Sequence, residues 1–118
     1  MGFSGGGSIA EFASVNADAN ARPSYAATIY GAPFPDVPPI PKDVPPFFIG
    51  DGTRRQSCRH PDRRHVRSAQ SRQYKPEFHI YEHGSHGSSM RKQGTTSDHW
   101  LEDFYWWLEA HGLTKPSK

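Results

Sequence analysis

Short apolar runs, separated by polar, glycine-rich or proline-rich stretches, divide the chain into elements. Residues 25–30 and 47–49 are apolar runs that end next to glycines, a pattern typical of buried strands. Residues 77–81 alternate between polar and apolar side chains, as a half-buried strand does. Residues 9–15 predict a short helix of small side chains. The first two thirds of the chain therefore contain one helix followed by three strands.

The last element is a helix with a wide aromatic face. Residues 95–97 offer hydroxyl groups for an N-cap, and acidic side chains follow in the first turns. Apolar and aromatic side chains then recur at helical spacing along one face: Trp100, Phe104, Trp107, Leu108 and His111. Gly112 fits the left-handed position just past a helix C-terminus, where Leu113 contacts Leu108 in a Schellman-type ending. We expect the aromatic face to pack on a sheet.

Alternating strands and helices predict an α/β fold with a mostly parallel sheet. The 118 residues are enough for one small domain. Apolar residues make up 34% and aromatic residues 13%, a composition that excludes a wholly disordered chain. Cys58 is the single cysteine, which excludes a disulfide scaffold, and no apolar run reaches the roughly 18 residues of a membrane span. No signal peptide is visible after Met1, so a cytoplasmic location is the default expectation.

Positive charge is concentrated in residues 54–72. This stretch holds seven arginines and one acid, a net charge of +6, whereas the rest of the chain carries −4. Such a segment permits an alternative function, a small interaction module that binds nucleic acid or an acidic partner. No aromatic residue lies between the arginines to stack on bases, so nucleic acid is a weak candidate. A solvated, unstructured segment is the more ordinary explanation.

The same stretch contains four residues of types that ligate metals: Cys58, His60, Asp62 and His65. Their spacing matches no standard zinc pattern, and we expect neither a metal nor a cofactor. The stronger candidates for chemistry are a serine and a histidine in two separate glycine-rich segments.

Residues 2–6 read Gly-Phe-Ser-Gly-Gly and match the motif G-x-S-x-G. In this motif a sharp strand-to-helix turn holds the serine in a strained backbone conformation, and flanking glycines avoid steric clashes. The Ser4 hydroxyl would then lie clear of the sheet, and the Gly5 N–H, at a helix N-terminus, would face a developing oxyanion. A flexible glycine–serine tract gives the same pattern, so the motif alone does not decide between a nucleophile and a linker.

His86 lies in a glycine- and serine-rich loop that follows the strand at residues 77–81. A histidine just beyond a parallel strand can reach a serine at the same edge of the sheet and act as its general base. The chain contains seven histidines, so an ordinary surface residue is the alternative.

Five separated blocks resemble the esterase/lipase-type α/β-hydrolases, and they occur in the order in which that family carries them. The most similar group is the acetyl-esterase, dienelactone-hydrolase-like one. The blocks are residues 2–7 (Gly-Phe-Ser-Gly-Gly-Gly), 30–33 (Tyr-Gly-Ala-Pro), 45–48 (Pro-Pro-Phe-Phe), 78–87 (with Phe-His-Ile-Tyr and Gly-Ser-His-Gly) and 98–108 (with Asp-His-Trp). The resemblance implies the C-terminal portion of one α/β-hydrolase domain over residues 1–118, a three-layer sandwich with an irregular arginine-rich segment at residues 54–73.

Carried over by position, the resemblance makes Ser4 the nucleophile, His86 the general base and the Gly5 N–H an oxyanion-hole donor. It implies hydrolysis of a small-molecule or carbohydrate ester through an acyl-enzyme, without metal or cofactor. The family places the acid that orients the histidine shortly after the strand matched by residues 47–49. Asp51 is the nearest carboxylate and Asp62 the next, and neither matches the family position well.

The chain departs from the family pattern in other respects. We expect the strand that feeds the serine turn, all earlier strands and the glycine-rich loop that gives a second oxyanion donor to be absent. Ser88 and Ser89 stand where the family has an aromatic residue and a glycine. The chain is therefore expected to be weakly active or inactive, because the orienting acid and the second oxyanion donor both stabilise the transition state.

Residues 54–73 suggest the hypothesis that this segment is translated out of frame. When the reading frame moves by one base, an arginine codon CGN followed by a codon that begins with C is read as GNC. The GNC codons include one for aspartate. A one-base shift over residues 54–60 permits Asp-Asp-Ser-Leu-Val-Ala-Ile, with carboxylates near the position of the family's acid. Sequencing the coding DNA tests the hypothesis. We expect the shifted frame to encode acidic residues directly after residue 53, and a shifted frame without them would refute it.

Overall fold

The computed structural model describes residues 1–31, 43–52 and 76–115. The elements in these ranges are β1 (Gly2–Phe3), α1 (Gly5–Asn16), β2 (Ala26–Ile29), β3 (Phe47–Gly52), β4 (Glu77–Tyr81), a 3₁₀ turn (Thr96–His99) and α2 (Trp100–Ala110). The three strands predicted from the sequence are confirmed to within a few residues. The arginine-rich segment, its candidate metal ligands and most of the proline-rich loop before β3 lie outside the described residues.

The four described strands form one parallel sheet in the order β1-β2-β3-β4. Across the sheet Phe3 pairs with Ile29, Ile29 with Gly50, and Gly50 with His79. The predicted parallel pairing is therefore confirmed. Because all strands run in one direction, their carboxyl ends meet at a single edge of the sheet, where ligands bind in open α/β folds.

Strand β1 corrects one expectation, since the strand that feeds the serine turn is present in short form. Gly2 and Phe3 pair in parallel with Thr28 and Ile29. Two residues carry no hydrophobic period, and this is why the sequence pattern missed the strand. Helix α1 likewise begins at Gly5 rather than at residue 9, although glycine is a poor helix former.

The two helices cover opposite faces of the sheet. Side chains alternate between the faces along a strand, and α2 packs on the face that carries Ala27, Ile29 and Phe48. On the other face Gly7 of α1 packs on Thr28, next to a second apolar cluster. That second cluster contains Ala26, Phe47 and Ile49. The described part of the chain is thus a helix–sheet–helix sandwich, the three-layer α/β architecture that the family resemblance implies.

The aromatic face of α2 forms the main core. Trp100, Phe104 and Trp107 are buried, each with 6% of its surface exposed. The Phe48 ring centroid lies 5.1 Å from that of Phe104 and 5.7 Å from that of Trp107. Burial of one such side chain contributes about 1.5–3 kcal/mol, and a well-placed aromatic pair adds about 0.5–1.5 kcal/mol. The predicted packing role of this face is confirmed.

Helix α2 is closed at both ends by the devices that its sequence indicates. Thr95 and Asp98 form a capping box, although the first turn is 3₁₀ rather than α-helical. Gly112 has a φ of 70°, its N–H donates to the Glu109 carbonyl at 2.9 Å, and the Leu113 N–H donates to the Leu108 carbonyl at 2.9 Å. This pair of bonds is a Schellman ending. Neither described helix has the length and apolar character to cross a bilayer.

Helix α1 approaches the sheet so closely that a side chain would not fit at the contact. A Cβ atom at Gly7 would lie 2.3 Å from Thr28 Oγ1 and 3.2 Å from the Gly31 Cα, and a Cβ atom at Gly31 would lie 2.2 Å from the same hydroxyl. Thr28 is 4% exposed, and its hydroxyl has no hydrogen-bond partner among the described residues. Gly7 and Gly31 both lie against the Thr28 hydroxyl. Their lack of a side chain therefore sets the distance between α1 and the sheet.

We predict that Gly7→Ala destabilises the protein and that Gly6→Ala, its neighbour in the same turn, does not. The added methyl group at Gly7 collides with Thr28 and with backbone, and overpacking of this kind costs about 1–3 kcal/mol. At Gly6 the methyl group meets nothing within 4 Å. Urea denaturation measures both free energies of unfolding.

The double variant Gly7→Ala/Thr28→Ala removes the colliding oxygen and is expected to recover part of the loss. Equal free energies of unfolding for Gly6→Ala and Gly7→Ala would contradict the close packing of α1 on the sheet.

Candidate active site

Ser4 occupies the turn between β1 and α1 with φ 51° and ψ −127°. A positive φ in a non-glycine residue costs of order 1–3 kcal/mol and is found mainly where the surrounding structure enforces it. The Ser4 N–H donates to the Ile29 carbonyl at 3.0 Å, and the Ser4 carbonyl accepts the Gly7 N–H at 2.9 Å. A Cβ atom at Gly2 would lie 2.0 Å from the Gly6 carbonyl oxygen. The turn has the strained serine that the G-x-S-x-G motif predicts, and Gly2 is required there by close contact. At Gly6, the other glycine of the motif, a Cβ atom would meet nothing within 4 Å, so the predicted need for glycine on both sides holds at Gly2 alone.

The loop after β4 brings His86 to Ser4, 82 positions away in the sequence. Ser4 Oγ and His86 Nε2 are 2.8 Å apart, a hydrogen bond in which the hydroxyl donates when this nitrogen carries no proton. The His86 ring meets the Tyr30 ring edge-on at a centroid distance of 5.1 Å. Tyr30 itself has a φ of 43°, and its N–H donates to the Gly50 carbonyl at 2.8 Å. Ser4 and His86, the dyad, therefore lie at the carboxyl edge of the sheet.

Trp100, the first residue of α2, contacts the segments that carry Ser4 and His86. Its ring packs edge-on against Phe3, the residue before Ser4, at a centroid distance of 5.5 Å. Its Nε1–H donates to the carbonyl of Ser89 at 3.0 Å, three residues after His86. Ser89 has a φ of 50°, a conformation that favours glycine. Ser89 thus adopts a conformation that glycine favours, and the Trp100 indole N–H binds its carbonyl.

Asp98 binds the far end of the histidine loop through its carboxylate. The carboxylate oxygens accept the N–H of Gln93 at 2.8 Å, that of Gly94 at 2.7 Å and that of Thr95 at 3.4 Å. These backbone donors, Gln93 first, lower the pKa of Asp98 below its usual value, since they favour the charged form. The Ser85 hydroxyl, next to His86, donates to the side-chain oxygen of Gln93. The two ends of the loop are thereby tied together.

A shallow cleft opens beside His86 between the strand ends and the loop. Its lining includes Tyr30, Asp51, Tyr81, Ser85, His86 and Trp100. Among the described residues, Asp51 is the one carboxylate in this lining, and its Oδ1 accepts the N–H of Gly52 at 2.8 Å. A Cβ atom at Gly52 would lie 2.8 Å from the Gly84 carbonyl, so the end of β3 touches the loop directly. Asp62, the other candidate acid, lies outside the described residues.

Gly5 is the first residue of α1, directly after Ser4. The N–H groups of a first helical turn have no acceptor within the helix, and together with the helix dipole they favour negative charge. The Gly5 N–H therefore belongs to the first turn of α1, directly after Ser4.

Tyr81, at the end of β4, is excluded as a base at neutral pH. Burial raises the pKa of its hydroxyl far above the usual range, and the hydrogen bond that the hydroxyl donates to Asp103 Oδ2 at 2.6 Å acts in the same direction. The same carboxylate oxygen lies 3.6 Å from His79 Nδ1. Tyr81 therefore links β4 to α2 as a neutral hydroxyl at the base of the cleft.

No group of three or more histidine, cysteine or acidic side chains in the described ranges is arranged to hold a metal ion. The candidate ligands Cys58, His60, Asp62 and His65 fall outside those ranges. The basic segment at residues 54–72, on which the alternative interaction function depends, falls outside them as well.

Two solved structures are similar to this chain over nearly its whole length. The α/β-hydrolase enzyme MGS-M1 from a Medee basin deep-sea metagenome library matches with a TM-score of 0.71 and 22% identity, over 92% of this chain and 52% of its own. The acetyl ester-xyloside bifunctional hydrolase from Caldicellulosiruptor lactoaceticus matches with a TM-score of 0.72 and 19% identity, over 97% of this chain and 56% of its own. Neither known protein-family profiles nor curated protein sequences match the chain.

These similarities show that the chain has part of an α/β-hydrolase fold. Both of the similar structures are of hydrolases. The chain spans about half the length of each of them. The structure brings together Ser4, His86 and the first turn of α1, and it places Asp51 in the adjoining cleft. Sequence reasoning missed the loop contacts of Trp100 and Asp98, because it treated both residues as parts of α2 and its cap.

Proposed function

We propose that the chain carries the reacting groups of a serine-dependent carboxylic ester hydrolase. The observation that supports this function is the 2.8 Å hydrogen bond between Ser4 Oγ and His86 Nε2, formed at a strained turn that opens a helix. A nucleophile within hydrogen-bond reach of a base is the arrangement that nucleophilic catalysis requires. The α/β-hydrolase fold around the pair is consistent with it.

The reaction proceeds through an acyl-enzyme. His86 Nε2 accepts the hydroxyl proton as Ser4 Oγ attacks the ester carbonyl carbon, and the carbonyl oxygen becomes an oxyanion that the Gly5 N–H stabilises. The C–O bond to the alcohol then breaks, and His86 returns its proton to the departing alcohol. Water repeats the sequence on the acyl-enzyme: His86 takes its proton, the acid leaves, and Ser4 recovers its proton. The cycle consumes one ester and one water and needs no cofactor.

Asp51 is our candidate for the acid that orients His86. Both residues line the cleft, and the strand that carries Asp51 lies next to the strand that leads to the histidine loop. A carboxylate near an imidazole that becomes positively charged stabilises the cation and fixes the tautomer.

We propose a small-molecule or carbohydrate ester as the substrate. The similar protein from Caldicellulosiruptor lactoaceticus is named for acetyl ester hydrolysis, and acetyl esters are therefore the first substrates to test. We expect slow turnover, because among the described residues Gly5 supplies one oxyanion donor, and loss of a single such donor lowers kcat by roughly 10²–10³-fold. No contact in the described residues favours the alternative of a basic interaction module.

Covalent labelling tests the nucleophile even where turnover is slow. We expect a fluorophosphonate to modify Ser4 in the full chain, as located by mass spectrometry, and p-nitrophenyl acetate to be hydrolysed above the buffer rate. Ser4→Ala and His86→Asn are expected to abolish both signals, because each removes one half of the dyad.

Ser24→Ala and His83→Asn serve as matched controls, since both side chains are exposed and neither is part of the dyad. Undiminished labelling of Ser4→Ala, or modification at another residue, would contradict the proposed function.

Removal of Asp51 tests the orienting acid. We expect Asp51→Ala to lower the rate of ester hydrolysis, by up to about 10⁴-fold when compared with losses of such acids in serine hydrolases. Added formate or acetate is expected to restore part of the rate by occupying the vacated space in the cleft. Asp18→Ala, at an exposed position, is the control. An unchanged rate in Asp51→Ala would show that another group orients His86.

A further inference from the structure

The loop that carries His86 has few apolar contacts to hold it in place. Residues 82–87 are exposed or half-buried, and His86 itself is exposed. Besides the edge-on contact of the His86 ring with Tyr30, polar contacts elsewhere in the loop support the ring position, and the largest set of these converges on one carboxylate.

We propose that Asp98 is a positioning residue that holds His86 in reach of Ser4 by fixing the second half of the histidine loop, an inference that rests on the proposed function of the dyad. The carboxylate accepts three consecutive backbone N–H groups, those of Gln93, Gly94 and Thr95, at 2.7–3.4 Å. Three charge-assisted bonds to consecutive residues restrict the conformations open to this part of the loop.

The fixed segment reaches the histidine through one side chain. Gln93, whose N–H is held by both oxygens of Asp98, accepts the Ser85 hydroxyl with its side-chain oxygen. Ser85 directly precedes His86. The path from Asp98 to the imidazole therefore consists of two hydrogen-bonded steps and one peptide unit, all within residues that the structure describes.

The neighbouring acids of α2 do not share this role. Glu102 lies 3.9 Å from Nδ1 of His99, in the 3₁₀ turn just before α2, and Asp103 binds Tyr81 on the sheet. Both carry negative charge in the first turn of α2. Any effect of Asp98 through the helix dipole alone would be reproduced at Glu102, which gives the experiment a matched control.

The test compares Asp98→Asn with Glu102→Gln in the full chain. Each change removes one negative charge at nearly constant size. The first readout is the ¹⁵N chemical shift of His86 Nε2, calibrated by Ser4→Ala, in which the hydrogen bond is absent. We expect the shift in Asp98→Asn to move toward that of Ser4→Ala, whereas Glu102→Gln keeps the wild-type value. A cap with a merely structural role would lower the melting temperature and leave this shift unchanged.

The second readout is the rate of fluorophosphonate labelling at Ser4. We expect a fall of roughly 10²-fold in Asp98→Asn, the effect typical of a displacement of about 1 Å between reacting groups. If the wild-type protein is not labelled, the proposed function fails, and the NMR comparison still decides the positioning role.

If Asp98→Asn does not fold, Gln93→Ala replaces it, because it cuts the link to Ser85 and leaves the bonds of Asp98 to the backbone intact. A wild-type His86 shift in a folded Asp98→Asn protein, or in Gln93→Ala when that variant replaces it, would overturn the proposal.

Discussion

The left-handed backbone at Ser4 depends on how closely α1 can approach the sheet. A strand that turns into a helix within one residue brings the first helical turn against its own strand and the next one. Gly2 and Gly7 leave room for this approach, and the buried Thr28 hydroxyl fills the space between Gly7 and Gly31. The cost of the strained serine, of order 1–3 kcal/mol, is offset by the packing that surrounds it. The Ser4 side chain and the start of α1 take their positions from this turn.

Parallel pairing supplies the rest of the geometry. Strands β1, β2, β3 and β4 deliver Ser4, Tyr30, Asp51 and the histidine loop to one edge of the sheet. The chain therefore needs no long-range ion pair to bring residues 4 and 86 within 2.8 Å of each other. The sheet already brings the start of the histidine loop to the edge at which Ser4 lies. The loop contacts of Asp98 and Trp100 then refine the position of His86.

Sequence reasoning predicted those parts of the molecule in which a local rule acts alone. The aromatic stripe of α2, its Schellman ending at Gly112 and the strand at residues 77–81 follow from periodicity and turn chemistry. Strand β1 escaped because two residues have no period, and the glycine start of α1 escaped because tertiary packing on Thr28 overrides low helix propensity. Ser4 and His86 could be paired through the order of the motifs and the rule that parallel strands end at one edge of a sheet. The loop contacts of Asp98 depend on a chain path that no spacing rule contains.

Trp100 belongs to the hydrophobic core and to the site at once. Its ring is buried against Phe3, and its indole N–H holds the carbonyl of Ser89. A shift of α2 away from the sheet would withdraw support from the serine turn and from the histidine loop in the same movement. Cohesion of the aromatic core and alignment of the dyad are thus coupled through one side chain.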